Sequence, residues 1–246
     1  MNETRLTFLE PTNFTVPVTI FNTLVSDAFH FGFVKNEVAN LSGLLNHLLP
    51  TMSAYREDLH FDFLKQNDGN EELTRKTEEC IYKTYFNKYD FCDDGVVTIP
   101  FRVNQVHYED FLKIHDLLLP KYNMDFCNFV RSLLLEYATK RLCQREYFFH
   151  YHLMPNLKNA ILNRYLCRFY DKTDRITFIP LSLETSKQNE QTIIIGVNEK
   201  NDSFCALPLA DVQKIVVDDS VHFDIDDEDY TAIQEFFAEY DDEENR

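Results

Sequence analysis

The chain has 246 residues, of which 44% are hydrophobic, enough to build two domains with apolar cores of their own. No stretch approaches the roughly 20 apolar residues that a membrane-spanning helix needs, and the first residues lack the pattern of a signal peptide. We therefore expect a cytoplasmic protein with no membrane partner. Its six cysteines form no C-x-x-C pair, which favours reduced thiols over disulfides or zinc ligands.

The formal net charge of −17 argues against nucleic acid as a partner, but the charges are unevenly spread. Residues 218–246 contain 13 acids and one base, whereas residues 137–175 contain eight bases and three acids. A basic segment inside an acidic chain can bind phosphates locally, so the total charge does not decide the partner. The alternative for this basic segment is a solvated helix face without a ligand.

The N-terminal half of the sequence predicts strands and helices in alternation. At residues 96–103 apolar and polar side chains alternate, which is typical of a half-buried strand. Apolar residues at helical spacing follow on both sides of Leu119-Pro120, where we predict a break. The predicted elements are a strand at 14–20, helices at 53–66 and 71–89, the strand at 96–103, and helices at 106–118 and from 126 onward.

Two short motifs recur in the same order in this half. Residues 15–20 are similar to residues 98–103, and residues 37–41 are similar to residues 125–129. A lone strand leaves its backbone groups without partners, so we expect the first strand to pair with the second within one chain. The sequence therefore predicts a duplicated strand-helix-helix unit.

This arrangement resembles the ribbon-helix-helix fold, in which two such units pair their strands as an antiparallel ribbon and interlock four helices. In that family the outward side chains of the ribbon enter the DNA major groove. Proline has no side-chain donor for a base edge, so we expect the ribbon to act as a frame at least as much as a base reader. The outward residues implied by the resemblance are Thr98, Pro100 and Arg102 in one strand and Thr15, Pro17 and Thr19 in the other.

The C-terminal half predicts a helix from residue 157, a series of short strands and a turn at 209–212. Short strands at this spacing suggest a small antiparallel barrel. Residues 192–195 lack alternation, as expected for a strand covered on both faces. An acidic helix at 230–239 follows, and we expect residues 241–246 to be disordered. The predicted strands are 165–170, 176–182, 192–197, 204–208, 214–217 and 221–225.

Residues 157–225 resemble the WYL domain, a small SH3- or Sm-like barrel of bacterial transcription regulators and CRISPR-associated regulators. The resemblance rests on Ala160-Ile161 before a strand that ends at Tyr170, on Pro180-Leu181, and on the element at 209–212. The triplet that names the family falls on Thr-Ile-Ile at 192–194, so no family ligand is carried over to this chain.

A ribbon-helix-helix unit followed by a WYL domain is similar to the WYL accessory proteins of type VI-D CRISPR systems. That resemblance implies a bacterial regulator in antiviral defence, which binds single-stranded RNA and enhances an RNA-guided, RNA-cleaving nuclease. One alternative is a DNA-binding transcriptional regulator with the barrel as a ligand sensor, and another is an interaction module whose acidic surface docks on a basic nuclease. The expected fold is α+β, with domains at 1–150 and 151–229 and an acidic helix and tail at 230–246.

Bases and aromatic residues interleave from residue 144 onward, and this mixture is typical of surfaces that bind single strands through phosphates and stacked bases. Strand alternation would place Arg164 and Arg168 on one face. The alternative is that Tyr147, Phe148 and Phe149 pack between the two domains. The candidate nucleic-acid-binding residues of this segment are Arg145, Tyr147, Arg164, Arg168, Lys172 and Arg175, and those of the ribbon are Thr98 and Arg102.

The sequence contains no motif of a known enzyme class: there is no G-x-S-x-G, no H-E-x-x-H and no phosphate-binding glycine loop. His150 and His152 have no nearby carboxylate or cysteine to complete a metal site, and residues 224–229 lack the glycine of an EF-hand loop. We therefore expect no catalysis, no cofactor and no metal. Because WYL proteins often dimerise, the resemblance also implies a homodimer.

Overall fold

The computed structural model describes residues 11–88, 95–171, 174–198, 203–222 and 227–243 of the chain. The fold is α+β and divides into two compact units between Lys140 and Arg141. This division falls earlier than the predicted boundary at residue 150. The helix Leu142–Phe149 belongs to the second unit, where the Glu146 carboxylate accepts a hydrogen bond from the Thr192 backbone N–H (2.6 Å). No helix within the described ranges is long and apolar enough to cross a membrane.

The first unit contains two strands that pair with each other, a small hairpin, and the helices around them. A 3₁₀ turn (Gln105–His107) leads into α4, and a π-helical turn (Ile114–Leu118) joins α4 to α5. The elements are β1 (Thr12–Pro17), α1 (Val18–His30), β2 (Val34–Lys35), β3 (Val38–Ala39), α2 (Leu41–Gln66), α3 (Glu71–Lys88), β4 (Val96–Phe101), α4 (Tyr108–Lys113), α5 (Leu119–Tyr122) and α6 (Phe126–Ala138).

Three element boundaries differ from those predicted, each for a local reason. The first strand ends at Pro17 rather than at residue 20, and α1 begins directly after this proline. Helix α2 begins before residue 53 because the Asn40 side chain accepts the Gly43 N–H (3.0 Å) and caps it. The predicted break at Pro120 is wrong. A π-helical turn precedes it and widens the backbone where a proline ring would otherwise clash.

The strands β1 and β4 form an antiparallel ribbon within the chain, which confirms the predicted pairing. Phe14 lies opposite Ile99, Thr15 opposite Thr98, and the register continues without a shift along both strands. Thr15 and Thr98 are also the equivalent positions of the sequence repeat. A residue that pairs with its own repeat equivalent marks a local two-fold axis, so the register and the repeat describe the same symmetry.

One face of the ribbon forms the core of the first unit. Phe14 and Phe101 are 2% exposed, and their ring centroids lie 6.2 Å apart. Phe101 also contacts the rings of Phe111 in α4 (5.5 Å) and Phe126 in α6 (6.2 Å). Aromatic packing therefore holds the ribbon against α4 and α6.

The second helix of each repeat bonds to the strand of the other repeat. Asn46 Nδ2 in α2 donates to the carbonyl of Arg102, just after β4 (2.9 Å). Arg131 Nε in α6 donates to the carbonyl of Thr15 in β1 (3.1 Å). The two halves are therefore interlocked by hydrogen bonds that run in both directions between the repeats.

The helical part of the repeat is offset from the predicted alignment, which matched Asn40 with Asn128. The cap of α6 is Asp125, whose carboxylate accepts the Asn128 N–H (2.8 Å). Asn40 and Asp125 are thus the equivalent residues. A neutral amide caps one helix and a carboxylate caps the other.

A buried ion pair joins α2 to α6. The Arg56 guanidinium, 1% exposed, donates to the Ser132 hydroxyl (2.8 Å) and to the Glu136 carboxylate (3.0 Å). Buried charges of this kind add little net stability over an apolar pair, but removing one partner is costly.

The second unit is a five-stranded antiparallel sheet with helices on both faces. The strand order is β8-β7-β6-β5-β9. A 3₁₀ turn (Leu209–Asp211) precedes β9, where two separate strands were predicted. The elements are α7 (Leu142–Phe149), α8 (Met154–Asn163), β5 (Tyr165–Tyr170), β6 (Arg175–Thr185), β7 (Thr192–Val197), β8 (Phe204–Pro208), β9 (Lys214–His222) and α9 (Asp227–Glu243).

Both faces of this sheet are apolar. Ile194 belongs to the core that α8 covers, whereas Ile193 and Ile195 belong to the core that α9 covers. This confirms the prediction that β7 is buried on both faces. The sequence predicted a small antiparallel barrel; the described residues form an antiparallel sheet that is not closed, because β8 and β9 do not pair. Helix α9 packs on the second face, so this apolar face is buried without closure of the sheet into a barrel.

Helix α9 also extends further than predicted. It continues to Glu243, and Asp241 within it is buried and accepts the Lys187 backbone N–H (3.2 Å). The predicted disorder is therefore wrong for residues 241–243. Residues 244–246, and part of the acidic run at 224–229, lie outside the described residues.

The substitution Phe101→Asp should unfold the first unit, because it would place a carboxylate among three aromatic rings. We expect a loss of more than about 4 kcal/mol of unfolding free energy, measured by circular dichroism and urea titration. Thr98→Ala, on the exposed face of the same strand, should stay within about 0.5 kcal/mol. A fully folded Phe101→Asp protein would contradict the assignment of this face to the core.

The substitution Glu136→Ala should lower the free energy of unfolding by about 3–5 kcal/mol, because it removes the carboxylate that faces a buried guanidinium. The matched control is Glu79→Ala, which removes one side of the exposed Arg75–Glu79 pair on α3 (2.6 Å). That change should cost less than about 1 kcal/mol. Equal effects in urea titrations would show that burial of the first pair is unimportant.

Candidate nucleic-acid interface

The face of the ribbon opposite the core carries uncharged polar side chains. Asn13, Thr15 and Thr98 are exposed there, together with Pro100. Thr15 faces Thr98 and Asn13 faces Pro100 across the two strands. The surface offers two hydroxyls and one amide, groups that can donate to and accept from a nucleic acid without adding charge.

The predicted outward set is only partly placed on this face. Thr15, Thr98 and Pro100 lie on it, and Arg102 is exposed just beyond the end of β4. Pro17 is buried, because the strand ends there and the chain turns into a helix. Thr19 lies in α1, so it is not part of the ribbon.

A second arginine, Arg131 of α6, borders the ribbon and was not among the predicted candidates. Arg131 Nη2 lies 3.3 Å from the Thr15 hydroxyl, and its Nη1 donates to Asn128 Oδ1 (2.8 Å). Its charge within the mostly apolar run at 129–135 is the one feature of the sequence that could have indicated it. The ribbon therefore has a guanidinium at the edge of β1 and another beyond β4.

A cavity of about 800 Å³ lies beside Arg102, between the start of α2 and the segment that follows β4. Asn40, Asn104, Gln105 and Tyr108 contribute to its lining. The sequence did not point to this cavity, because its two walls are far apart in the chain.

Asn46 connects the two walls of this cavity. Its Nδ2 donates to the carbonyls of Ser42 (2.7 Å) and Arg102 (2.9 Å), and its Oδ1 accepts the Asn104 N–H (2.6 Å). Asn46 is 3% exposed. Its three hydrogen bonds hold the backbone on both sides of Val103 against α2.

The basic segment of the second unit is more dispersed than predicted. Arg164 ends α8 in a left-handed conformation (φ 56°), so it precedes β5 and does not share a strand face with Arg168. Arg145 is half-buried in α7, and Arg175 is exposed at the start of β6. Lys172 lies outside the described residues.

Arg168 is held by an acid of the neighbouring strand. Its Nη2 lies 2.9 Å from Asp218 Oδ2. The Ser220 hydroxyl and N–H donate to Asp218 and, with Arg168 beside it, lower the pKa of the carboxyl below its ordinary value. The Arg168 guanidinium therefore forms an ion pair within the sheet.

The aromatic residues of this segment are also engaged within the second unit. Tyr147 packs against the core that α8 covers, and its hydroxyl accepts a hydrogen bond from Lys158 Nζ (2.9 Å). Phe148 and Phe149 are buried. The structure brings Tyr147 and Lys158 together, through this hydrogen bond and through the contact of Lys158 Nζ with the Tyr147 ring (4.8 Å).

Within the described residues, no three His, Cys, Asp or Glu side chains are grouped closely enough to hold a metal ion. The cysteines that the structure describes form no disulfide with one another, and burial raises the pKa of Cys167 and Cys205 to about 12. Such thiols are poor nucleophiles and poor metal ligands at neutral pH.

No protein-family model matches the chain, and no curated protein matches it. Among solved structures, it is similar to a protein described as a CRISPR Cas-related protein, with a TM-score of 0.60 and 12% sequence identity. The similarity covers 90% of this chain and 65% of the other, so this chain spans about two thirds of that protein's length. At this identity the likeness concerns the fold alone.

Removing the Asn46 side chain should loosen the segment after β4. Asn46→Ala leaves the Asn104 N–H and the Arg102 carbonyl without their side-chain partner, and we expect a loss of about 1–3 kcal/mol in urea titrations. Ser42→Ala is the control, because its hydroxyl makes only a long contact with the same carbonyl (3.5 Å). Similar losses in both variants would contradict the central role of Asn46.

Proposed function

We propose that this chain is a non-catalytic accessory protein of a CRISPR system, which binds single-stranded RNA and enhances an RNA-guided, RNA-cleaving nuclease. The observation that carries the proposal is the ribbon, two strands of one chain held by interlocked helices, with Thr15 and Thr98 exposed at its centre and Arg102 beyond its end. The likeness to a CRISPR Cas-related protein over 90% of this chain supports the CRISPR setting.

Two finer assignments belong to this proposal. The first unit is a ribbon-helix-helix unit closed within one chain, supported by the register of β1 with β4 and by the exchange of helix contacts between the repeats. The second unit is a WYL domain, supported by four consecutive strands that pair in order, with the fifth returning beside the first. Because the ribbon is paired internally, the proposed homodimer uses another surface, and analytical ultracentrifugation tests it.

The ribbon face favours RNA over base-specific reading of a duplex. Its centre offers two hydroxyls, and Pro100 has no side-chain donor with which to read a base edge. Single-strand binding needs cations for phosphates and rings for bases. Arg102 and Arg175 are exposed cations, and Tyr108 is a half-buried ring near the ribbon's end.

A DNA-binding transcriptional regulator is the second candidate function. The observation in its favour is the ribbon itself, since a two-stranded antiparallel ribbon fits the major groove of B-form DNA. In that case the sheet of the second unit is the ligand sensor.

Labelled single-stranded RNA and duplex DNA of the same sequence, titrated at matched salt by fluorescence anisotropy, separate these functions. We expect RNA to bind more tightly than about micromolar at low salt. Arg102→Ala should weaken RNA binding and reduce the salt slope by about 0.7, the value for one phosphate contact on a single strand. Arg145→Ala, Arg175→Ala and the Arg164→Ala/Arg168→Ala pair test the second unit in the same way.

The control is Arg75→Ala, which removes an exposed arginine that pairs with Glu79 on α3 and should leave RNA binding unchanged. Tighter binding of duplex DNA supports the transcriptional regulator instead. If neither nucleic acid binds at low salt, the proposal fails and an acidic protein-docking surface takes its place. In a cleavage assay with an RNA-guided, RNA-cleaving effector, the variants that bind RNA more weakly should also enhance cleavage less.

A further inference from the structure

We infer that the cavity beside Arg102 accepts one purine nucleotide and serves as the base-reading subsite for bound RNA. The inference rests on the proposed function, which makes bound RNA the source of the nucleotide. The choice of a purine rests on the side chains that line the cavity. A volume of about 800 Å³ lies within the range of about 300–1,000 Å³ that is usual for small-molecule sites. A single unstacked nucleotide is a ligand of that class.

The side chains around the cavity divide into a support and a reading set. Asn46 is the support, since its amide is used by three backbone groups. Asn104 lines the cavity, and its Oδ1 accepts the Val106 N–H at 3.5 Å. Gln105 is exposed, with both ends of its amide able to bond to a ligand.

Asn40 contributes a positioned amide rather than an open helix end. Its Oδ1 already accepts the Gly43 N–H, so the start of α2 is capped. A Cβ atom at Gly43 would lie 2.6 Å from Asn40 Nδ2, so the glycine leaves the room that this amide occupies. The site is therefore made of side chains, and the helix dipole is not needed to explain it.

Amides, a ring and a guanidinium form a recognition set for a purine nucleotide. A carboxamide pairs its donor and acceptor with adjacent groups on the edge of adenine. An aromatic ring stacks on a splayed base, which is how proteins read single-stranded RNA. Tyr108 supplies the ring, Asn104 and Gln105 supply amides, and Arg102 supplies a cation for the phosphate.

The other end of the ribbon provides an internal comparison. There the equivalent helix cap is Asp125, a carboxylate that accepts both the N–H (2.8 Å) and Nδ2 (2.6 Å) of Asn128. Arg131 beside it is already bonded to Thr15. A carboxylate repels a phosphate. We therefore expect a nucleotide to bind at the Arg102 end of the ribbon and not at the equivalent end beside Asp125.

The test compares oligo(rA) and oligo(rU) of equal length, with AMP and UMP as free nucleotides, on the full chain. We expect tighter binding of oligo(rA) than of oligo(rU). Tyr108→Ala should weaken oligo(rA) binding about 5- to 100-fold, the range for losing one stacked base. Gln105→Ala should reduce the ratio of the affinity for oligo(rA) to the affinity for oligo(rU).

Two matched variants control for the fold. Tyr108→Phe keeps the ring and should bind oligo(rA) like the wild type. Val106→Ala changes a residue on the same turn that is 82% exposed and should also bind like the wild type. Thermal unfolding of all four variants shows whether any loss of binding reflects loss of structure.

The outcomes separate this inference from the proposed function. Equal affinity for both oligonucleotides, unchanged in Tyr108→Ala, overturns the inference and leaves RNA binding in place. AMP binding that Tyr108→Ala abolishes, without binding of either oligonucleotide, supports a nucleotide cavity and overturns the RNA function. Binding of neither AMP nor any oligonucleotide overturns both.

Discussion

The first unit depends on the pairing of β1 with β4. Within the described residues each of these strands has only the other as a partner, and a two-stranded ribbon is at best marginally stable alone in water. The stability must come from what covers one face, which is the aromatic cluster around Phe101, and from the helices that bond to the opposite strands. The polar face of the ribbon can contact a ligand, because the packing that stabilises the first unit is on the opposite face.

Closing the ribbon inside one chain removes a restriction that a symmetric dimer imposes. In a homodimer both ends of the ribbon carry the same residues. Here one helix cap is Asn40 and the other is Asp125, and one supporting position carries Asn46 while the other carries Arg131. The backbone symmetry is kept, whereas the chemistry of the two ends has diverged. The result is a cavity at one end whose lining combines neutral amides with the Arg102 guanidinium.

Much of the fold was predictable because it follows from patterns that operate over a few residues. The alternation around Ile99 and Phe101 identified the buried face of the ribbon, and the apolar run at 192–197 identified a strand covered twice. The failures have two causes: a local backbone irregularity that the apolar pattern does not signal, and packing partners that are distant in sequence. A π-helical turn accommodates Pro120, and a helix beyond the last strand covers the sheet that was expected to close into a barrel.

The candidate site was less predictable because its parts are distant in sequence. Exposure of Thr98 and Arg102 follows from strand alternation, which is local. The cavity is not local, because Asn40 and Tyr108 meet only after the ribbon and α2 have come together. Arg164 shows a local error: the strand was predicted correctly at 165–170, but its alternation was extended to Arg164, which ends α8 and shares no strand face with Arg168.

The ribbon also governs the order in which the first unit can form. Its two strands are separated by three helices and the intervening chain, so the contacts that complete the core are non-local, and such contacts slow folding. During synthesis β1 emerges long before β4 and α6, and domains fold only when their elements are available. Until β4 and α6 have left the ribosome, the cover over the apolar face of β1 is incomplete, and the nascent chain is exposed to aggregation during that interval.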